Sequence, residues 1–337
     1  MTRFFSILTL ILVFAAPAVG QNSVDLMVDG VGLSIGDSKE VTGLRLNFRD
    51  RAMRRVTGIN ATLWLPYKNH GGDVHGIALG LPATGADNIT GLGYGWIAVA
   101  ANEDAKGIIS GGIAAGAGND IIGIASGGLG VGAGRDIKGI ATGGLGAGAG
   151  RDLEGLAVGG LGVGAGNDVT GVVVGGLGAG AGNDMTGIAV SGLGAGAGRD
   201  FTGIAVSGLG TGAGRDFTGI SVSGLGTGAG RTLTGIHVAG LGVGGTNVRG
   251  LLISGFAAGG HDVYALSIAP AYFKVDRGGE MRGLSVSSYN RIQGEQKGVT
   301  IGILNYARKL SGYQIGLINV ASNKKRFRIM PFFNFAR

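Results

Sequence analysis

Gly203-Ile-Ala-Val-Ser-Gly-Leu-Gly-Thr-Gly-Ala-Gly-Arg-Asp-Phe-Thr218 is followed without a gap by Gly219-Ile-Ser-Val-Ser-Gly-Leu-Gly-Thr-Gly-Ala-Gly-Arg-Thr-Leu-Thr234. Two near-identical blocks of 16 residues set back to back are an internal repeat, and a repeat of this length points to a stacked or arrayed architecture. Gly187 to Thr202 precedes them with almost the same letters, and the leading glycine recurs at Gly107, Gly123, Gly139, Gly155, Gly171, Gly187, Gly203, Gly219 and Gly235. An unbroken register means that every unit occupies an equivalent place.

Looser copies extend the pattern: Thr42-Gly43-Leu44, Thr57-Gly58-Ile59, His75-Gly76-Ile77 and Thr90-Gly91-Leu92 before it, Arg249-Gly250-Leu251 and Arg282-Gly283-Leu284 after it. Near the C-terminus the unit shortens to 14 residues, Gly298-Val-Thr-Ile-Gly-Ile-Leu-Asn-Tyr-Ala307 being echoed by Gly312-Tyr-Gln-Ile-Gly-Leu-Ile-Asn-Val-Ala321. The chain reads as one array: a leader over 1–20, degenerate repeats and a cap over 21–101, regular repeats over 102–246, and degenerate repeats and a cap over 247–337.

Five or six glycines per unit, each costing about 1 kcal/mol against alanine, argue against helix. Strands remain. Ile204 and Val206 fall on one side of a strand, and Leu209, Thr211 and Ala213 share a side farther on. A corner at Ser207-Gly208 brings all five inward, with Gly203 and Ala205 facing out. Gly214-Arg215-Asp216 supplies a second corner, its Asp bonding local backbone N–H groups in an Asx-type turn. The apolar residue after it (Ile121, Ile137, Leu153, Val169, Met185, Phe201, Phe217, Leu233) closes the core. Two arms and two corners make one coil of a glycine-rich parallel β-solenoid. A lone coil buries too little to offset its backbone entropy, so stability is collective.

A strand plus turn of 16 residues also satisfies the grammar of an outer-membrane antiparallel β-barrel of about 16–20 strands, and the terminal Phe332-Phe333-Asn334-Phe335 agrees with it. Against it stand the identical signature at every junction and the missing aromatic girdle in the regular block.

Among 337 residues there are 75 Gly, 5 Pro and no Cys, with 45% hydrophobic residues placed at fixed positions, which excludes both a flexible linker and collagen. Met1-Thr-Arg3, the apolar run Phe4 to Ala16 and the small residues Ala18 and Gly20 describe a secretory signal peptide cleaved after Gly20. The formal charge is +7, and the positive residues crowd the ends, as Arg45, Arg49, Arg51, Arg54 and Arg55 and then Lys324, Lys325, Arg326 and Arg328. Such clusters suit either an anionic cell surface or the prevention of end-to-end stacking. Nucleic acid is not expected, since the chain reads as exported and carries no binding motif.

No catalytic constellation is legible. His70, His75, His237 and His261 lack metal-ligand spacing, and neither a cofactor nor a small-molecule substrate is expected. One column has possible chemistry: a parallel stack aligns Asp120, Asp136, Asp152, Asp168, Asp184, Asp200 and Asp216, and like charges at that spacing repel. Calcium relieves such a ladder in nonapeptide repeats, although here the period is 16 and the apolar residue follows Asp directly. The preferred reading is turn-capping Asp, with Arg135, Arg151, Arg199 and Arg215 interleaved. Ice binding would need an outward threonine array, and Thr211 and Thr227 are predicted inward.

Gln314-Ile-Gly-Leu-Ile-Asn319 and its neighbour Gly298 to Ala307 resemble repeat-containing surface proteins of Gram-negative bacteria, whose units read Gly-hydrophobic-Gln-Ile-Gly-Leu-Ile-Asn. The resemblance covers about a tenth of the chain and implies export to the surface or outer membrane, with no activity and no functional residue to carry over. The expectation is an exported, non-enzymatic repeat protein, structural or adhesive, whose partners are cell-surface glycan, the outer membrane or further copies of itself. The second expectation is a barrel acting as a pore or assembly platform.

Overall fold

The structure, a computed structural model, describes residues 23–67 and 71–336; the leader expected over 1–20 lies outside them. Its described residues hold 32 β-strands and no helix. By contacts the chain divides into two units, Met1–Leu161 and Gly162–Arg337, and each is a parallel β-solenoid.

In the second unit a regular coil consists of a long arm such as Phe201–Ser207 and a short arm such as Gly210–Ala213. Each arm pairs in parallel with the same arm of the next coil, Phe201 opposite Phe217 and Gly194 opposite Gly210. The hydrogen bonding continues through the corners, where the Leu209 N–H donates to the Leu193 carbonyl at 2.9 Å and the Arg215 N–H to the Arg199 carbonyl at 2.8 Å. The first unit repeats this plan, Ile121 pairing with Ile137 and Gly130 with Gly146. Among the described residues antiparallel pairing is confined to two strand pairs, Ser23–Val28 with Val31–Gly36 and Ile329–Phe335 with Tyr313–Ala321. Both lie at chain ends, where they cover a sheet edge that would otherwise template further stacking. The antiparallel barrel is therefore excluded as the fold of either unit.

The expected assignment of inside and outside needs correction. Thr211 and Ala213 are buried, but Ile204, Val206 and Leu209 are 38%, 39% and 46% exposed, while Ala205 and Ser207 face the core. The cause is parity. Phe201 is fully buried, and alternation from it sends Ala205 and Ser207 inward and Thr202, Ile204 and Val206 outward. The inward phase breaks at the corner, where Leu209 is turned out, and resumes with Thr211 and Ala213.

The corner between the two arms is tight in the first unit. A Cβ on Gly143 would lie 1.9 Å from the Gly146 carbonyl oxygen of the facing arm. Inside, the position after the Asp corner is a large apolar residue from Ile121 to Phe217, and the other inward positions are mostly Ala, Ser or Thr, with Ile109, Val131, Val163, Val173 and His237 among them. The leading glycine has its own cause: Gly203 has φ +136°, and a Cβ there would meet the Gly187 carbonyl oxygen at 1.9 Å.

Candidate functional site

The outer surface of the coil holds the distinctive chemistry, and it differs arm by arm. On the long arm of the second unit, three columns of large aliphatic side chains face out. One contains Val172, Ile188, Ile204, Ile220 and Ile236, another Val190, Val206 and Val222, and the corner adds Leu177, Leu193, Leu209, Leu225 and Leu241, all 36–56% exposed. The columns continue into the C-terminal coils, where Leu251 pairs with Leu266 and Leu266 with Leu284, and Ile268, Val286, Ile301 and Ile315 follow one another in register. The first unit carries the same face on Ile108, Ile124, Ile140 and Leu156, with Ile113, Leu129, Leu145 and Leu161 at its corner.

The short arm is bare. Gly194 and Gly196, Gly210 and Gly212, and Gly226 and Gly228 supply its outward positions. A Cβ on Gly210 would sit 3.5 Å from the nearest atom, an ordinary contact, so packing within the unit does not demand glycine there. In the C-terminal coils the same rows carry Tyr272 and Lys274, reached through Ala257 and Gly259.

The corner between short and long arm holds the aspartate column. Within each unit the Asp side chains align and are tied from coil to coil. Asp120 accepts from Arg135 through Nε at 3.1 Å and Nη2 at 2.9 Å, and from the Asp136 backbone N–H at 3.3 Å. Asp184 is held likewise by Arg199 at 3.2 and 2.6 Å and by the Asp200 N–H at 3.2 Å. Asp136 pairs with Arg151, Asp200 with Arg215 and Asp216 with Arg231. The backbone group bonded belongs to the next coil, 16 residues on, rather than to a local Asx turn. The bidentate guanidinium holds the Asp184 carboxyl below its ordinary range, and Arg231 pushes Asp216 down to about 2. Arginine thus relieves the repulsion at Asp120, Asp136, Asp184, Asp200 and Asp216, while at Asp168 the carboxylate accepts from the Asp184 backbone N–H at 3.1 Å and the next corner carries Asn183. Among the described residues no three His, Asp or Glu side chains converge as a metal-binding group.

The basic N-terminal cluster also needs correction. Arg45 is fully buried and paired with Asp50, which further accepts from Asn47 at 3.0 Å and Thr62 at 2.5 Å. It belongs to the interior of the first unit and is lost to any surface partner. Arg49 instead lies over the Tyr67 ring at 3.7 Å, and Arg54 pairs with Glu40 at 3.4 Å. Near the C-terminus Lys324 is anchored to Asn334 at 2.6 Å.

Of the histidines, His75 is exposed, His261 half-buried and His237 fully buried, while His70 lies outside the described residues. His237 packs edge-on to Phe217 and bonds the Ser221 hydroxyl through Nδ1 at 2.8 Å, and its Nε2 has no partner. Burial pushes its pKa down to about 4.

The Gln314-Ile-Gly-Leu-Ile-Asn319 unit takes its physical meaning from the same in-and-out rule. Gln314 and Asn319 are fully buried, whereas Ile315, Leu317 and Ile318 are 43%, 58% and 48% exposed. Asn290 donates to Asn305 at 2.8 Å, Asn305 to Asn319 at 2.7 Å, and Gln314 to Gln296 at 3.1 Å. These coils are built on stacked amide ladders.

The fold and its faces define a β-solenoid repeat protein with an apolar outer face. No family model matches the chain, and no curated protein or solved structure is similar to it.

Proposed function

We propose that this chain is an exported, non-enzymatic scaffold that works through the apolar face of its long arms, and that the face is covered by a second copy of the chain. The supporting observation is the unbroken exposure of Ile, Val or Leu at two positions of every regular coil, joined by a third at Val158, Val190, Val206 and Val222. Soluble monomers rarely leave contiguous apolar patches above about 300–600 Å² open to water.

The second unit alone stacks ten long-arm segments, from Val169–Gly175 to Tyr313–Ala321. At about 4.8 Å per coil and roughly 13 Å across three columns, the footprint is about 600 Å² per partner. Two such faces bury about 1,200 Å², enough to clear the roughly 1,000 Å² of a specific interface. A second copy presents the same coil spacing, so ridges on one face find grooves on the other, as between stacked sheets about 10 Å apart. Anionic lipid is the poorer partner, because Arg199, Arg215 and Arg231 bordering the regular face are already paired with aspartates.

Sedimentation equilibrium of residues 21–337 tests this reading. A dimer is expected, converted to monomer by Ile188→Lys with Ile220→Lys at unchanged circular dichroism. A monomeric native chain, or flotation with lipid vesicles in place of dimerisation, overturns the choice of partner. The export and surface location implied by the Gln-Ile-Gly-Leu-Ile-Asn resemblance belong to the same proposal. Sequencing the N-terminus of the protein recovered from a secreting host checks them, Gln21 being the expected first residue.

A further inference from the structure

In the regular block every corner arginine finds an aspartate 15 residues earlier. In the C-terminal coils the column passes through Asn247 and Asp262, whose carboxylate accepts from the Glu280 N–H at 2.8 Å, and further arginines gather beside it. Arg277, Arg308 and Arg328 converge with Gln293, Tyr306 and Ser322 around an open cavity of about 330 Å³. The convergence follows from the stacking. Gln293, Arg308 and Ser322 each follow residues that pair in register, Ile292 with Ala307 and Ala307 with Ala321, so they share one corner in successive coils. Arg277 comes from the turn between Tyr272–Val275 and Glu280–Val286, and Arg328 immediately precedes Ile329–Phe335. The Ser322 hydroxyl bonds the Tyr306 hydroxyl at 3.3 Å.

The nearby carboxylates are committed to other cations. Asp276 pairs with Lys274 at 2.6 Å, Glu280 with Lys297 at 3.0 Å and with Arg282, and Glu295 with Lys309 at 3.0 Å. Among the described residues none of the three cavity guanidiniums has an ion-pair partner. Three like charges held around one hollow repel each other unless an anion sits between them.

We infer that this cavity binds a phosphate monoester. Guanidinium forks match the oxygens of a tetrahedral anion, and two hydroxyls and an amide add neutral donors or acceptors. A monoester carrying about −1.5 to −2 charges at pH 7 offsets more of the three positive charges than a singly charged sulfate ester or phosphodiester does. The group can arrive on a soluble sugar or on a lipid headgroup, and the chemistry recognised is the same.

Calorimetric titration of residues 21–337 with inorganic phosphate at constant ionic strength tests the inference. Saturable binding at one site per chain is expected, several-fold weaker at pH 5 than at pH 8, because the ligand gives up its second charge while arginine keeps its own. Arg308→Gln and Arg277→Gln should each weaken binding at least tenfold with an unchanged melting temperature, whereas Arg199→Gln in the regular block should leave it alone. Competition by a hexose phosphate, against competition by phosphatidylcholine vesicles containing phosphatidic acid, separates the two sources, and either result supports the site. Absent saturation, pH-independent binding, or equal weakening by Arg199→Gln overturns it. Oligomeric state is not part of this readout, so the test stands apart from that of the apolar face.

Discussion

The regular coils of the second unit and its C-terminal coils solve the same geometric problem with different interiors. In the regular coils the inward position after the leading glycine passes through Val173, Ala189, Ala205, Ser221 and His237, and packing is apolar around Phe201, Phe217 and Leu233. In the C-terminal coils the interior is amide: Asn290, Asn305 and Asn319 in one ladder, Gln296 and Gln314 in another. The short arm changes from glycine to Tyr272, Lys274 and Arg291, and the corner from paired to unpaired arginine. What does not change is the outward aliphatic column, Ile or Val through Ile236 and Leu at Leu251, Leu266 and Leu284. A repeat constrained only by its core would vary outside and hold constant inside. Here the interior and the short arm both vary while the long-arm aliphatic column persists, which makes that face the constant requirement.

The sharpest way to break the comparison is at the leading glycine. Gly203→Ala drives a Cβ into the Gly187 carbonyl at positive φ, and a loss of about 3–5 kcal/mol in urea unfolding is expected. Ala265 already occupies the equivalent position opposite Gly250, so Ala265→Gly should change stability by less than about 1 kcal/mol.

Next in size is the amide ladder. Asn305→Ala leaves the Asn290 donor and the Asn319 acceptor short of a partner and should cost about 3 kcal/mol by the same measurement. A comparable loss is expected from Ala205→Asn, which introduces an unpaired amide into the narrow apolar coil.

His237 makes the regular coils acid-sensitive. Folded His237 stays neutral down to about 4, while the unfolded chain takes up a proton below the ordinary histidine pKa of about 6.5. The unfolded state therefore binds more protons between those values, and stability falls as pH drops through that window, by about 3 kcal/mol in all, levelling off below it. His237→Leu, matching Leu252 one coil on, should flatten the profile between pH 6.5 and 4.

Smallest is the exposed Arg–Asp column. Arg199→Gln should cost under about 1 kcal/mol and less in high salt. Calcium should leave the melting temperature unmoved; a rise would revive a metal role for the aspartates.

Much of the fold was legible. The 16-residue register, the strand assignment, both corners and the buried apolar residue after each Asp follow from spacing and glycine content alone. The inside-out reading of Ile204, Val206 and Leu209 came from assuming that large aliphatic residues are buried, whereas parity from Phe201 already pointed to Ala205 and Ser207. The apolar face was illegible for the same reason. The arginine cavity was hidden differently, since it joins residues from 277 to 328 that become neighbours only once the shortened coils are stacked.

The central claim, that aliphatic columns face outward and are covered by another copy, is tested most directly by thiol labelling, because the chain has no cysteine of its own. Ile204→Cys should react readily in dilute solution and become protected as protein concentration rises. Ala205→Cys should stay protected at every concentration. A reactive residue 205 beside an unreactive residue 204 in dilute solution would contradict the account.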